Sequence, residues 1–217
     1  MPGKEIAEGP VSKTNIGRLT NTIFVFAFFL LSRNIRTPTY DDWVAKVTAH
    51  QFGLMQLPEI VSFLNAFLIL AMIWIVSFHI FHQYRWLDRK FLYLHFALLM
   101  FVIFIPITIQ HATLFAQNPL ASDLFHLNML AIGLVIAFEW LHCLKTPALL
   151  SYGVPAGGLI STHASVLFIP LTALAGVVLV YCDLLFTQYI YFATMLAFIV
   201  ADQRILERIR KFLEAKP

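Results

Sequence analysis

The stretch RLTNTIFVFAFFLLSRNI, residues 18–35, decides the fold class. From Leu19 to Ser32 it carries no charge, and a helix that is apolar nearly all round is stable only inside a large core or in lipid. Arg18 and Arg33 bound the run; their long apolar stems let the charged heads reach a polar interface. Thr20, Asn21 and Thr22 gather near one end. At 3.6 residues per turn, Asn21, Val25, Phe28 and Ser32 share one face, and Thr22, Phe26, Phe29 and Arg33 share the next. Polar groups inside hydrocarbon are costly unless paired, so the cluster is expected to face protein or a water-filled path. Hydrogen bonding between helices that fixes their packing, and nothing more, accounts for the same residues.

The rest of the chain agrees with a membrane solvent. Of its 217 residues, 59% are hydrophobic and 12% are charged, whereas a soluble domain is about 25% charged. A span needs about 20 mostly apolar residues. That criterion predicts an all-α, polytopic protein of six membrane helices with short loops, at about 16–35, 58–82, 91–111, 124–144, 160–181 and 185–201. Pro170 is expected to kink the fifth. Residues 1–15 read as a flexible polar tail, and the first helix, lacking a small-residue cleavage site, reads as retained. The tail 202–217 places Ile205, Leu206, Ile209, Phe212 and Leu213 at helical spacing, which predicts a cytoplasmic amphipathic helix.

Basic residues set the orientation. Arg85, Arg89 and Lys90 follow the second span, Lys145 the fourth, and Arg204, Arg208, Arg210 and Lys211 the sixth. This alternation places both termini in the cytoplasm of a multi-pass cell-membrane protein. Arg33, Arg36 and Lys46 in the first outer loop are the exception. In that loop Asp41 or Asp42 is expected to cap a short helix with Trp43 and Val47 on one face.

Composition excludes several classes. The net charge of +3 comes without a basic run interleaved with aromatics, so nucleic acid is not a partner. No GxSxG, phosphate loop, HExxH or CxxCH occurs, so the chain does not read as an enzyme and implies no cofactor or metal. Cys143 and Cys182 fall near opposite ends of neighbouring predicted helices, too far apart for a disulfide. His79, His82, His95 and His142 are expected near the inner face, where they would serve either as haem or metal ligands or as interfacial side chains. Glu139 and His142, three apart, form a candidate couple on one face.

Helices one to three resemble the transmembrane-protein-175 family of potassium channels. Leu19-Thr20-Asn21 occupies the slot of the family's Phe-Ser-Asp motif, and an apolar run follows. Asn15 stands where the family has its Arg. Ala66-Phe67, Trp74 and Asp88 keep the family's spacing in the second helix, and Ser77-Phe78 replaces its His pair. His95 and Pro106 hold the Asn and Pro positions of the third.

The resemblance implies a homotetramer with a central pore lined by helix one and passing potassium or another monovalent cation. Its pore-lining and constricting positions would be Phe26, Leu30 and Arg33, flanked by Val25 and Phe29. A polar network of Thr20, Asn21, Trp74, Ser77 and His95 would hold that helix. Four phenylalanines would make a tight apolar gate, and four arginines at the outer mouth would repel cations. Two alternatives stand beside this reading: a non-conducting or anion-passing relative with the same fold, and a haem-binding membrane protein using the inner-face histidines.

Overall fold

A computed structural model describes residues 12–33, 35–151, 156–182, 184 and 187–195. Seven α-helices are formed among them: α1 Lys13–Ser32, α2 Tyr40–Val44, α3 Ala49–Met55, α4 Leu57–Gln83, α5 Arg89–Leu114, α6 Pro119–Lys145 and α7 Ala156–Val180. Four of these, α1, α4, α5 and α6, are long and apolar enough to cross a membrane. The fifth expected span is α7, a 25-residue helix that runs through Pro170. Of the sixth, the described part is a 3-10 turn, Thr187–Tyr189, and helix over 190–195. The count of six therefore extends beyond the described residues, as does the predicted tail helix at 202–217.

Polar caps explain where the spans begin. Ser12 accepts from the Asn15 amide ahead of α1, so that helix starts at Lys13, ahead of the expected Ile16. Asp88 caps α5 through the Phe91 amide, 2.8 Å away. Asn118 caps α6 through Leu120, and Pro119 takes the first helical position. Each satisfies an amide that has no partner within its helix. Histidines and Lys145 close α4, α5 and α6, where cations suit the helix dipole.

In the loop between α1 and α4 the cap differs from the expectation. Thr39 and Thr48 start α2 and α3, and Asp42 sits three residues into α2, where its carboxylate accepts from the Thr39 amide and hydroxyl, each at 2.8 Å. A carboxylate at that position can reach back to the cap residue, so Thr39 outcompetes Asp41 and Asp42 for the cap itself.

α5 packs along α6, α6 along α7, and α1 leans on α5 and α4. Between them lies one apolar core that includes Phe24, Leu31, Ile73, Phe91, Leu98, Phe125 and Trp140. Large apolar residues also point outward from the long helices, such as Leu64, Phe104, Leu134 and Leu171, as expected of helices solvated by lipid. At the end of the bundle that holds the α4–α5 turn the loops are tied together. The Arg85 amide donates to the Leu149 carbonyl at 2.6 Å and the Ser151 amide to the Gln83 carbonyl at 2.8 Å.

Candidate pore helix and its polar anchor

α1 turns a small, continuous face toward its own chain. Thr20, Phe24, Ala27 and Leu31 are buried there, at the spacing that repeats one side of a helix. The opposite side carries Thr22, Val25, Phe26, Phe29, Ser32 and Arg33, all exposed. Val25 is 66% exposed, Phe29 60% and Phe26 48%. Leu30 lies at the edge of this open face and is half-buried. Phe28 points away from it and packs on Phe67 of α4, with ring centroids 4.8 Å apart.

The N-terminal half of α1 is held by hydrogen bonds. The Thr20 hydroxyl lies 2.7 Å from His95 Nε2 and 2.8 Å from the Ile16 carbonyl. On the other side of the His95 ring, Nδ1 is 3.0 Å from Glu139 Oε1. Both the histidine and the glutamate are buried, so one continuous polar chain crosses from α1 through α5 to α6. Separately, Trp74 Nε1 donates to Asn21 Oδ1 at 3.0 Å, joining α1 to α4. Thr20, Asn21, Trp74, Ser77 and His95 line one cavity of about 290 Å³. Within it the Ser77 hydroxyl is buried and makes no hydrogen bond among the described residues.

The pairing of Glu139 departs from the sequence reading. Glu139 bonds His95, and His142 Nε2 bonds Asp88 Oδ2 at 2.8 Å instead. Residues three apart on a helix are rotated from one another by about 60°, enough for each to find a different partner across the α5–α6 seam. Tyr84 adds a member that sequence reasoning does not find. Its hydroxyl donates to the Glu139 carbonyl at 2.5 Å, and its own carbonyl accepts from Lys13 Nζ at 2.5 Å. Burial above all pushes this phenol well above its ordinary range, so it stays a donor. It links the start of α1 to α6, and no local spacing marks it.

Three of the four candidate histidines, His82, His95 and His142, are hydrogen-bonded. Both nitrogens of His95 are bonded, His142 Nε2 is bonded, and His82 Nδ1 sits 2.9 Å from the Phe78 carbonyl. Among the described residues no three His, Cys, Asp or Glu side chains form a metal-holding group. A second buried histidine, His126, lies apart from the His95 cluster. His126 contacts Tyr191 Oη at 3.0 Å and Thr187 Oγ1 at 2.8 Å, joining α6 to the segment after α7.

Residues 15–106 match the family model described as the endosomal/lysosomal potassium channel TMEM175. The chain is similar in fold to the crystal structure of a lysosomal potassium-selective channel TMEM175 homologue from Chamaesiphon minutus. That likeness has a TM-score of 0.73 and 21% identity, over 88% of this chain and 97% of that one. It is also similar to the potassium channel MtTMEM175, solved as a point variant in complex with a nanobody fusion protein. There the TM-score is 0.56 and the identity 15%, over 96% and 98% of the two chains. No curated protein matches the chain. The family match covers helices one to three, and the likeness to the two solved channels is one of fold over most of the length.

Proposed function

We propose that the chain is one subunit of a potassium channel in which four copies of α1 surround the pore. The observation that carries this reading is the open aromatic face of α1. Only 22% of its most apolar stretch is buried within the chain, against 39–50% for the other three spans. A helix anchored at its base and uncovered along one side is suited to meet copies of itself.

In this assembly Phe26 and Leu30, one turn apart, would form two stacked apolar rings, with Val25 and Phe29 beside them. Such rings resist wetting, so the gap they leave governs ion passage. Arg33, at the end of α1, would stand at the outer mouth. The polar cluster would act as an anchor: Thr20 tied to His95, and Asn21 tied to Trp74, fix the rotation of α1 and hence which side chains face the axis. Basic residues after the second and fourth spans support cytoplasmic termini in a cell-membrane protein.

The test is ion flux from liposomes carrying the purified chain, with potassium, sodium and chloride exchanged in turn. Potassium flux above that of empty liposomes is the expected result; no flux of any ion overturns the proposal. The exposed Arg33 favours one second reading, an anion-passing relative, and chloride flux in the same assay would select it.

A further inference from the structure

A second cavity, of about 350 Å³, opens between α5 and α6 at the basic end of the molecule. α5 supplies Lys90 and Leu94, and α6 supplies Phe138, Leu141, His142 and Lys145. We propose that this cavity binds an anionic phospholipid of the adjacent leaflet, its phosphate between Lys90 and Lys145 and its acyl chain along Leu94, Leu141 and Phe138.

The order of side chains along the two helices carries the assignment. Lys90 is the second residue of α5, and Leu94 lies one turn deeper. Lys145 closes α6, with Leu141 one turn deeper and Phe138 about 10 Å deeper, at 1.5 Å per residue. Both walls thus change from cationic to apolar in the same direction over the same depth. A phospholipid changes from phosphate to hydrocarbon over a comparable depth. A free anion would have no use for the lower wall, and an uncharged lipid none for the upper.

The charges are available. Lys90 and Lys145 are exposed, and neither has an ion-pair partner among the described residues. The neighbouring acid, Asp88, is occupied by His142 and by the Phe91 amide. Phe138 and Leu141 are 53% and 44% exposed, uncovered by the rest of the chain. Basic pockets between membrane helices on the cytoplasmic side are known seats for acidic headgroups, and each lysine near such a surface contributes about a five-fold gain in binding.

The experiment is native mass spectrometry of the purified full chain, titrated with phosphatidylglycerol or with phosphatidylcholine of the same acyl chains. The parent is expected to retain phosphatidylglycerol preferentially. Lys90→Gln and Lys145→Gln should each weaken that retention about five-fold, and the double variant about 30-fold. Lys46→Gln, which removes one charge at the opposite end, should leave it unchanged. Phe138→Ala should weaken the lipid's retention while leaving both lysines in place. Equal retention of the two lipids by the parent overturns the proposal, as does a double variant that still prefers phosphatidylglycerol. Displacement of the lipid by inorganic phosphate at equal concentration would show that the lysines hold a free anion, and would overturn it too. Ion conduction enters none of these readouts, so this site and the channel reading fail separately.

Discussion

The anchor of α1 makes a sharp prediction about His95. Its ring bridges Thr20 and Glu139 at 2.7 and 3.0 Å, and the His95 and Glu139 side chains are only 3% and 1% exposed. His95→Leu would leave the Glu139 carboxyl buried without this partner. Leaving a buried polar group without its partner costs about 1–3 kcal/mol. Thr20→Val loses only a hydroxyl contact, and interhelical hydrogen bonds in membranes average about 0.6 kcal/mol. The ratio is therefore roughly two to five to one in favour of His95 as the costlier loss. His95→Leu with Glu139→Leu removes both partners and strands neither, so the double variant should be more stable than His95→Leu alone. The assay is reversible unfolding in SDS, followed by tryptophan fluorescence, for the parent, both single variants and the double variant. If Thr20→Val costs as much as His95→Leu, or if the double variant is no better than the single, the buried pair is not what holds the α1–α5–α6 seam.

Four further outcomes are expected. Phe26→Ala should raise liposome flux by opening the apolar ring, while Phe28→Ala, which loses its contact with Phe67, should lower stability and leave flux per folded channel unchanged; equal flux changes would refute the proposed register of α1. Arg33→Gln should raise potassium flux at low salt and have much less effect at 1 M, where the Debye length is about 3 Å; a salt-independent change would argue against an electrostatic role. Gly133→Ala should destabilise the chain by about 1–3 kcal/mol, because the added methyl would meet the Pro170 backbone nitrogen at 2.6 Å, and an unchanged unfolding midpoint would show that α6 and α7 do not approach so closely. Hydrogen bonds from the Thr39 amide and hydroxyl, then the Arg36 charge, hold Asp42 below its ordinary value, so its support for α2 is full at neutral pH and is lost as pH falls below about 4; Trp43 fluorescence should change there, and Asp42→Asn should abolish that transition.

Much of this architecture follows from one-dimensional signals. The apolar runs place α4, α5 and most of α6 because lipid leaves few alternatives to a helix of spanning length. Hydropathy sets the start of α1 too late because its first turn is polar, and the Ser12 cap leaves no mark on an apolar scale. Family resemblance is what groups Thr20, Asn21, Trp74, Ser77 and His95, since their own spacing joins nothing. Their partners are not legible in the sequence. Thr20 meets His95 across 75 residues, and His95 meets Glu139 across 44. Such pairs depend on how the helices rotate against one another. For that reason the local i,i+3 spacing of Glu139 and His142 suggests a couple that tertiary packing divides. His126, bonded to residues 61 and 65 positions away, carries no local signal at all.

The two ends of α1 divide its work. Toward its N-terminal end, Thr20 and Asn21 bind α5 and α4, and Lys13 reaches the carbonyl of Tyr84. Beyond Phe24 the contacts to its own chain narrow to Ala27, Phe28 and Leu31, and the aromatic side is left bare. Hydrogen bonds are directional, so they set the rotation of a helix far better than apolar contact with lipid does, because lipid chains are as apolar as the side chains they touch. A helix whose rotation is set at its base presents the same residues along its length in every copy. Self-assembly needs that constancy, because each subunit of a ring must offer an identical surface. Thr20 and Asn21, both neutral, supply this directional base without placing an unpaired charge in hydrocarbon. The exposed charges of α1 beyond its first turn, Arg18 and Arg33, stand at the two ends of the apolar run, where water can reach them.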